Sequence, residues 1–209
     1  MIKVCTLASS SAGNSTYVET SYYKILIDLG RTKKYLSEKL SEIGVDYKDI
    51  DYVFLTHTHD DHTKSLHTFF KGTKATLVIT NKMLLELNDI SDIENIIIYE
   101  DNPNIVDLDI KSFVMSHDVA DIRSFVITDE GSSLVYITDT GYINSKYFKS
   151  FKGKTAYYIE SNHDIEMLII IIKLGIHVII EGIFIFKFVK LLIRSIRGKT
   201  IYDVISTFL

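Results

Sequence analysis

The 209-residue chain has no tryptophan, one proline and one cysteine. The lone Cys5 excludes an internal disulfide, which favours a reducing, cytoplasmic setting. Cys5 lies in an apolar run over residues 2–7 and reads as a small core residue rather than a nucleophile. The N-terminus lacks a long apolar h-region, so no signal peptide is expected. Basic residues are not in excess: 23 Lys and Arg stand against 27 Asp and Glu, for a net charge of -4. That argues against broad nonspecific adhesion to nucleic acid. It does not exclude an enzyme of nucleic acids, because bound cations supply positive charge locally. A basic stripe interleaved with aromatics is not visible, and neither is an internal repeat. Scarce Pro and Trp beside many Ile, Lys, Asn and Tyr reflect an AT-rich coding sequence and carry no chemistry. The remainder is ordinary for a globular chain, 46% hydrophobic and 24% charged, and its length suits one domain with a substantial core.

Against that background one stretch stands out. An apolar run over residues 52–55 reads as a buried strand and ends in His57-Thr58-His59-Asp60-Asp61-His62. Three imidazoles and two carboxylates within six residues are the donors that Zn²⁺, Mn²⁺ and Fe²⁺ accept. Alternation puts His57 and His59 on one side of an extended segment, while Asp61 and His62 follow a bend and can face a second ion. Two such ions can activate a shared water near neutral pH. The plainer reading is a solvated loop before a helix, with Asp60, Asp61 or Thr63 as its N-cap.

The flanking pattern supports the metal reading. Residues 2–7 read as a strand running into the small, polar loop Ala8-Ser9-Ser10-Ser11-Ala12-Gly13-Asn14-Ser15, whose N–H and hydroxyl groups suit phosphate, although an ordinary hairpin loop would look the same. Residues 16–19 and 24–28 read as a hairpin closed by Asp28, either a helix cap or a carboxylate orienting a ligand histidine. Residues 32–43 read as a helix stopped by Gly44, and 63–70 as a short helix. Residues 75–79 and 96–99 are predicted strands, with a helix over 81–87 capped by Thr80. Predicted strands over 110–115, 122–128, 133–138 and 155–159 follow. These deliver Ser116-His117-Asp118, Asp139-Thr140-Gly141 and Glu160-Ser161-Asn162-His163-Asp164 at strand ends, and ligands at the same end of several strands converge.

At these residues the chain resembles the metallo-β-lactamase superfamily, which carries His57-Thr58-His59-Asp60-Asp61-His62, a later His117 and a later Asp139 in this order. More narrowly it resembles the YycJ/WalJ/VicX-type hydrolases. That likeness rests on the loop 7–14, Leu26-Ile27-Asp28-Leu29-Gly30, Asp139-Thr140-Gly141 and Glu160-Ser161-Asn162-His163-Asp164. The resemblance implies a four-layer αββα sandwich of two mixed β-sheets flanked by helices, over residues 1–168. It implies two divalent ions, Zn or Mn with Fe as a third option. His57, His59 and His117 would hold one, Asp61 and His62 the other, and Asp139 would bridge them. Asp61 and Asp139 carry the catalytic assignment, and Asp28 the supporting one. The implied activity is that of a phosphodiesterase or nuclease of the 5′-to-3′ DNA exonuclease type, attacking phosphorus in line with a metal-bridged hydroxide. Ser10, Asn14, Asn162 and His163 are assigned to the substrate phosphate by residue type and loop position. A small ester, thioester or lactam hydrolase on the same fold is the alternative.

The pattern breaks after residue 168. The family's further Gly-His ligand segment does not appear, and residues 169–209 are far more apolar than what precedes them. Lys173, Glu181, Lys187 and Lys190 interrupt this run, so no stable membrane association is expected. A buried helix or strand pair is one reading and a reading-frame shift another. Ile180-Glu181-Gly182-Ile183 can be encoded by bases that read Arg-Gly-His in the shifted frame. On that reading the second metal site lacks a ligand, since His177 falls too early, and an inactive remnant becomes a third option. The oligomeric state is left open.

Overall fold

The structure, a computed structural model, describes residues 1–87, 89–116, 119–140 and 143–159. The expected boundary near residue 168, the apolar segment 169–209 and its frame-shift reading lie outside the described residues.

The first sheet has six strands in the order β1 (Lys3–Ala8), β2 (Ser15–Glu19), β3 (Lys24–Ile27), β4 (Tyr52–Phe54), β5 (Thr76–Thr80) and β6 (Ile96–Tyr99). β1 to β3 form an antiparallel meander, and β3 to β6 run parallel. The second sheet has the order β10 (Ala156–Ile159), β9 (Ser132–Ile137), β8 (Arg123–Asp129) and β7 (Asp109–Val114). Its β10–β9 pair is parallel and the rest antiparallel. Both sheets are therefore mixed, as expected.

The parallel strands read as unbroken apolar runs because both of their faces are covered. Ile25, Ile27, Phe54 and Val78 point into a core shared with Phe125, Ile127, Leu134 and Tyr136 of the second sheet. Leu26, Val53, Leu55, Leu77 and Ile79 point the other way, into a core with Leu36 and Leu40 of α1 (Lys33–Glu42), Phe69 of α3 (Leu66–Phe70) and Met83 of α4 (Asn81–Glu86). On the outer face of the second sheet, Phe113 meets Phe151 of α5 (Phe148–Phe151), with ring centroids 4.8 Å apart. Helices thus flank two face-to-face sheets, the αββα arrangement.

Local chemistry explains the helix ends. Thr32 Oγ1 accepts the Tyr35 N–H at the start of α1, and Gly44, at φ 76°, follows its end. Thr80 Oγ1 accepts the Met83 N–H at the start of α4, as expected. The helix expected over 63–70 is instead two short ones, α2 (Asp60–Thr63) and α3. The Ser65 N–H and hydroxyl both donate to Leu29 O, which pulls the chain out of helical register between them. The N-cap of α2 is His59, without a side-chain cap bond, rather than Asp60, Asp61 or Thr63. The short turn Tyr47–Asp49 and the 145–151 helical stretch are not expected from the sequence pattern, although Asp46 and Asn144 each cap a backbone N–H two residues on.

Candidate metal centre

The loops that follow β3, β4 and β9 meet at one rim of the sheets. Asp28 stands one residue past β3, and its N–H donates to Phe54 O. Asp139 stands two residues past β9. Both adopt left-handed backbone, φ 67° and 47°, which costs non-glycine residues energy and is least unfavourable for Asp and Asn.

Ligand-type atoms of His57, His62 and Asp139 all lie within 4.8 Å of one another. His62 Nε2 is 2.9 Å from Asp139 Oδ2 and 3.7 Å from Asp61 Oδ2. The rings of His57 and His62 are 4.0 Å apart by centroid, and those of His57 and His59 4.8 Å. Imidazole and carboxylate converging this closely form a donor set that suits a divalent transition metal.

Beneath the cluster is a hydrogen-bonded floor. Asp28 is fully buried; its Oδ2 accepts from His62 Nδ1 at 2.8 Å and from the Thr56 hydroxyl at 2.8 Å, and its Oδ1 accepts from Thr56 N at 2.8 Å. Thr56 has only one hydroxyl hydrogen and gives it to Asp28. The contact of its Oγ1 with His57 Nδ1 at 3.0 Å therefore has the imidazole as donor, which leaves His57 Nε2 as the nitrogen with the lone pair. Burial, with the neighbouring charge of His62, lowers the His57 pKa to about 4. Burial works against His62 being charged, but the Asp28 and Asp139 carboxylates outweigh it and raise its pKa to about 10.

Asn14 closes one side. It is buried, and its Nδ2 donates to Asp61 Oδ2 at 3.2 Å and stands 3.0 Å from His62 Nε2. The backbones interlock as well: Asn14 N donates to Asp61 O at 2.7 Å, and Gly30 N donates to Asn14 O at 2.8 Å. Ser10 lies in the exposed loop, its N–H on Asn14 Oδ1. The structure thus brings together His57, His62 and Asp139, with Asp61, Asn14, Asp28 and His59 around them. His117, Asn162 and His163 lie outside the described residues.

Thr56, the hinge of this floor, is not apparent from sequence. A Thr at the end of an apolar strand is unremarkable by propensity, and only its place directly before His-x-His hints at a role. The sequence model of the metallo-beta-lactamase superfamily matches residues 10–180. The chain belongs to that superfamily. It is 32% identical over 174 residues to Exodeoxyribonuclease WalJ of Streptococcus pneumoniae serotype 2 (strain D39 / NCTC 7466), covering 79% of this chain and 64% of that protein. It is 30% identical over 167 residues to Exodeoxyribonuclease YycJ of Bacillus anthracis, covering 78% and 63%. The matched part is therefore less than two thirds of these relatives' length. Among solved structures, the metallo-beta-lactamase fold protein YhfI from Bacillus subtilis superposes with TM-score 0.58 at 17% identity, over 75% of this chain and 69% of that one. That likeness speaks to the fold, which is the αββα sandwich expected. Divalent metal binding goes with this superfamily and with the donor set of the cluster.

Proposed function

We propose that the chain is a metal-dependent phosphodiesterase acting on DNA, of the exodeoxyribonuclease type. The observation that carries the proposal is the convergence of His57, His62 and Asp139 on the Asp28–Thr56 floor, in a chain about a third identical to proteins named exodeoxyribonucleases. In this reading His57, His59 and His117 would hold one divalent ion and Asp61 and His62 a second, with Asp139 as a further ligand. Zn, Mn and Fe all suit such ligands. Ions bound there would supply Lewis acidity and lower the pKa of coordinated water. The chain's own residues set the geometry. Asp28 fixes the ring orientation of His62, Thr56 holds Asp28 and the His57 tautomer, and Asn14 holds the Asp61 carboxylate. Ser10, Asn162 and His163 are assigned to the substrate phosphate; Asn14, expected among them, is buried with its amide on Asp61 and is assigned to holding that carboxylate instead. The single cysteine fits a cytoplasmic setting, and among the described residues no helix is long and apolar enough to cross a membrane.

The test offers the purified chain, reconstituted with Mn²⁺ or Zn²⁺, a 5′-phosphorylated duplex, a generic phosphodiester, a thioester and a lactam. Cleavage of DNA that disappears in His59→Ala is the expected result. Turnover of the thioester or lactam alone would move the reading to a small-molecule hydrolase, and turnover of nothing to an inactive remnant.

A further inference from the structure

Residues 57–59 belong to no strand or helix, so no ladder of backbone bonds sets their course. Hydrogen bonds from outside the segment do so instead. At its near end Thr56 O accepts from Arg123 N at 2.8 Å. At its far end His59 O accepts from His62 N at 2.9 Å and from the Thr63 hydroxyl at 3.0 Å. Between them Thr58 gives its hydroxyl hydrogen to Oε2 of Glu86, the last residue of α4. Successive side chains of an extended segment point to opposite sides. The His57 and His59 rings lie together, 4.8 Å apart by centroid, while the Thr58 side chain goes to α4. A bond that holds Thr58 from behind therefore sets the rotation of the segment, and with it the direction of both rings.

Glu86 uses both carboxylate oxygens. Its Oε1 accepts from Ala120 N at 3.1 Å, in the connection from β7 to β8. At the other end of α4 the Thr80 hydroxyl donates to Asp121, the next residue of that connection, at 2.6 Å. So α4 is fastened to the second sheet at both ends, and at its Glu86 end also to the segment between His57 and His59. The other donors are held differently. His57 and His62 have buried partners on Nδ1, Thr56 and Asp28, and Asp61 has the Asn14 amide. A carboxylate suits the post at Glu86, because two donors arrive and it offers two acceptor oxygens. Glutamine would keep one acceptor and turn an N–H towards the other donor. Glu86 is exposed, so replacing it leaves the apolar core untouched.

We propose that Glu86 is a positioning residue of the metal centre. Through Thr58 it aims the imidazoles of His57 and His59, and through Ala120 it keeps them in register with the second sheet, which carries Asp139. The proposal rests on the metal-centre reading of the cluster.

The experiment loads the full chain with Zn²⁺ or Co²⁺. Competition with a chromophoric chelator reads the affinity, and the visible absorption of the Co²⁺ form reads the ligand geometry. Loss of a residue bonded directly to a ligand imidazole costs about 10–100-fold in affinity, and Glu86 acts one bond further out. Glu86→Ala and Thr58→Val are therefore each expected to weaken binding about three- to tenfold and to change the Co²⁺ band. Thr58→Val removes no charge, so its loss is not that of an anion near a cation. Thr58→Ser keeps the hydroxyl and should restore both readings, and Glu86→Gln should fall between wild type and Glu86→Ala. The double variant should bind like Glu86→Ala, because both changes break the same bond. Glu94→Gln removes an exposed carboxylate that makes no hydrogen bond or ion pair among the described residues, and should match wild type. Wild-type affinity with an unchanged Co²⁺ band in Glu86→Ala, losses that multiply in the double variant, or an equal loss in Glu94→Gln overturns the positioning role and leaves the metal-centre reading standing. A wild type that takes up no ion overturns both.

Discussion

At the scale of single residues, Asp28 has the largest consequence for its size. It accepts from His62, from the Thr56 hydroxyl and from the Thr56 N–H, and no solvent reaches it. Asn adopts its left-handed backbone nearly as readily as Asp, so Asp28→Asn removes the charge and keeps the shape. Metal affinity is expected to fall about 10–100-fold, as when a ligand histidine loses its carboxylate partner; competition with a chromophoric chelator measures this. The two histidines also predict a pH optimum for the metal-free fold. His57 has a folded pKa of about 4 against an ordinary 6.5, so an unfolded chain takes up a proton that the folded one refuses. Stability is therefore lost as pH falls from 6.5 towards 4. His62 is raised to about 10, so its contribution is full below 6.5 and is lost as pH climbs towards 10. Urea midpoints in chelator are expected to peak near neutrality and to decline on both sides. A midpoint rising steadily to pH 10 would contradict the placement of His62 between two carboxylates.

At the scale of elements, the site depends on loops that touch. Gly30 is the tightest crossing, because a Cβ there would lie 1.7 Å from Asp61 O and 2.4 Å from Asn14 N. Gly30→Ala must part the loops that carry Asn14 and Asp61, and is expected to cost about 4 kcal/mol or more, by thermal or urea unfolding. A second crossing is made by α4. Thr80 at its start donates to Asp121 at 2.6 Å, and Asp121 holds Arg123; Glu86 at its end accepts from Thr58, between His57 and His59, and from the Ala120 N–H. Glu86→Ala, at an exposed position, is expected to destabilise by about 0.5–1 kcal/mol and to speed amide exchange around Thr58, whereas Glu86→Gln should recover part of both. Sequence makes the elements legible where pattern is strong. Every predicted strand is present with ends shifted by a residue or so, and the caps of α1 and α4 announce both helices. The split of α2 from α3 is not legible, because it depends on Leu29 O, 36 residues from Ser65. The His and Asp cluster announces itself by composition. Thr56 and the Glu86 bridges do not, since their partners are brought in only by the tertiary fold.

At the scale of the whole molecule, the two sheets share the site. His57, His62 and Asp28 hang from the first sheet and Asp139 from the second, so the short distance from His62 to Asp139 depends on how the sheets pack. That packing is set directly beneath the Asp28–Thr56 floor by Phe54 against Phe125, an edge-to-face pair with centroids 5.5 Å apart and both rings fully buried. A buried bond from the Tyr136 hydroxyl to Thr16 Oγ1 at 3.1 Å crosses the same interface. Phe125→Ala removes one side of the pair without touching a ligand and is expected to cost about 3–5 kcal/mol of stability. If the sheets act as a jig for the site, metal affinity should fall as well, because relaxation into the cavity changes the spacing of Asp139 and His62. Phe113→Ala, at the outer face of the second sheet, is the comparison: it also loses aromatic packing but leaves the inter-sheet core intact. Chelator competition on both variants, at a temperature where each is folded, separates the two effects. Equal affinities in the two variants would mean that the loops hold the site by themselves; a loss confined to Phe125→Ala would mean that its geometry is a property of the sandwich.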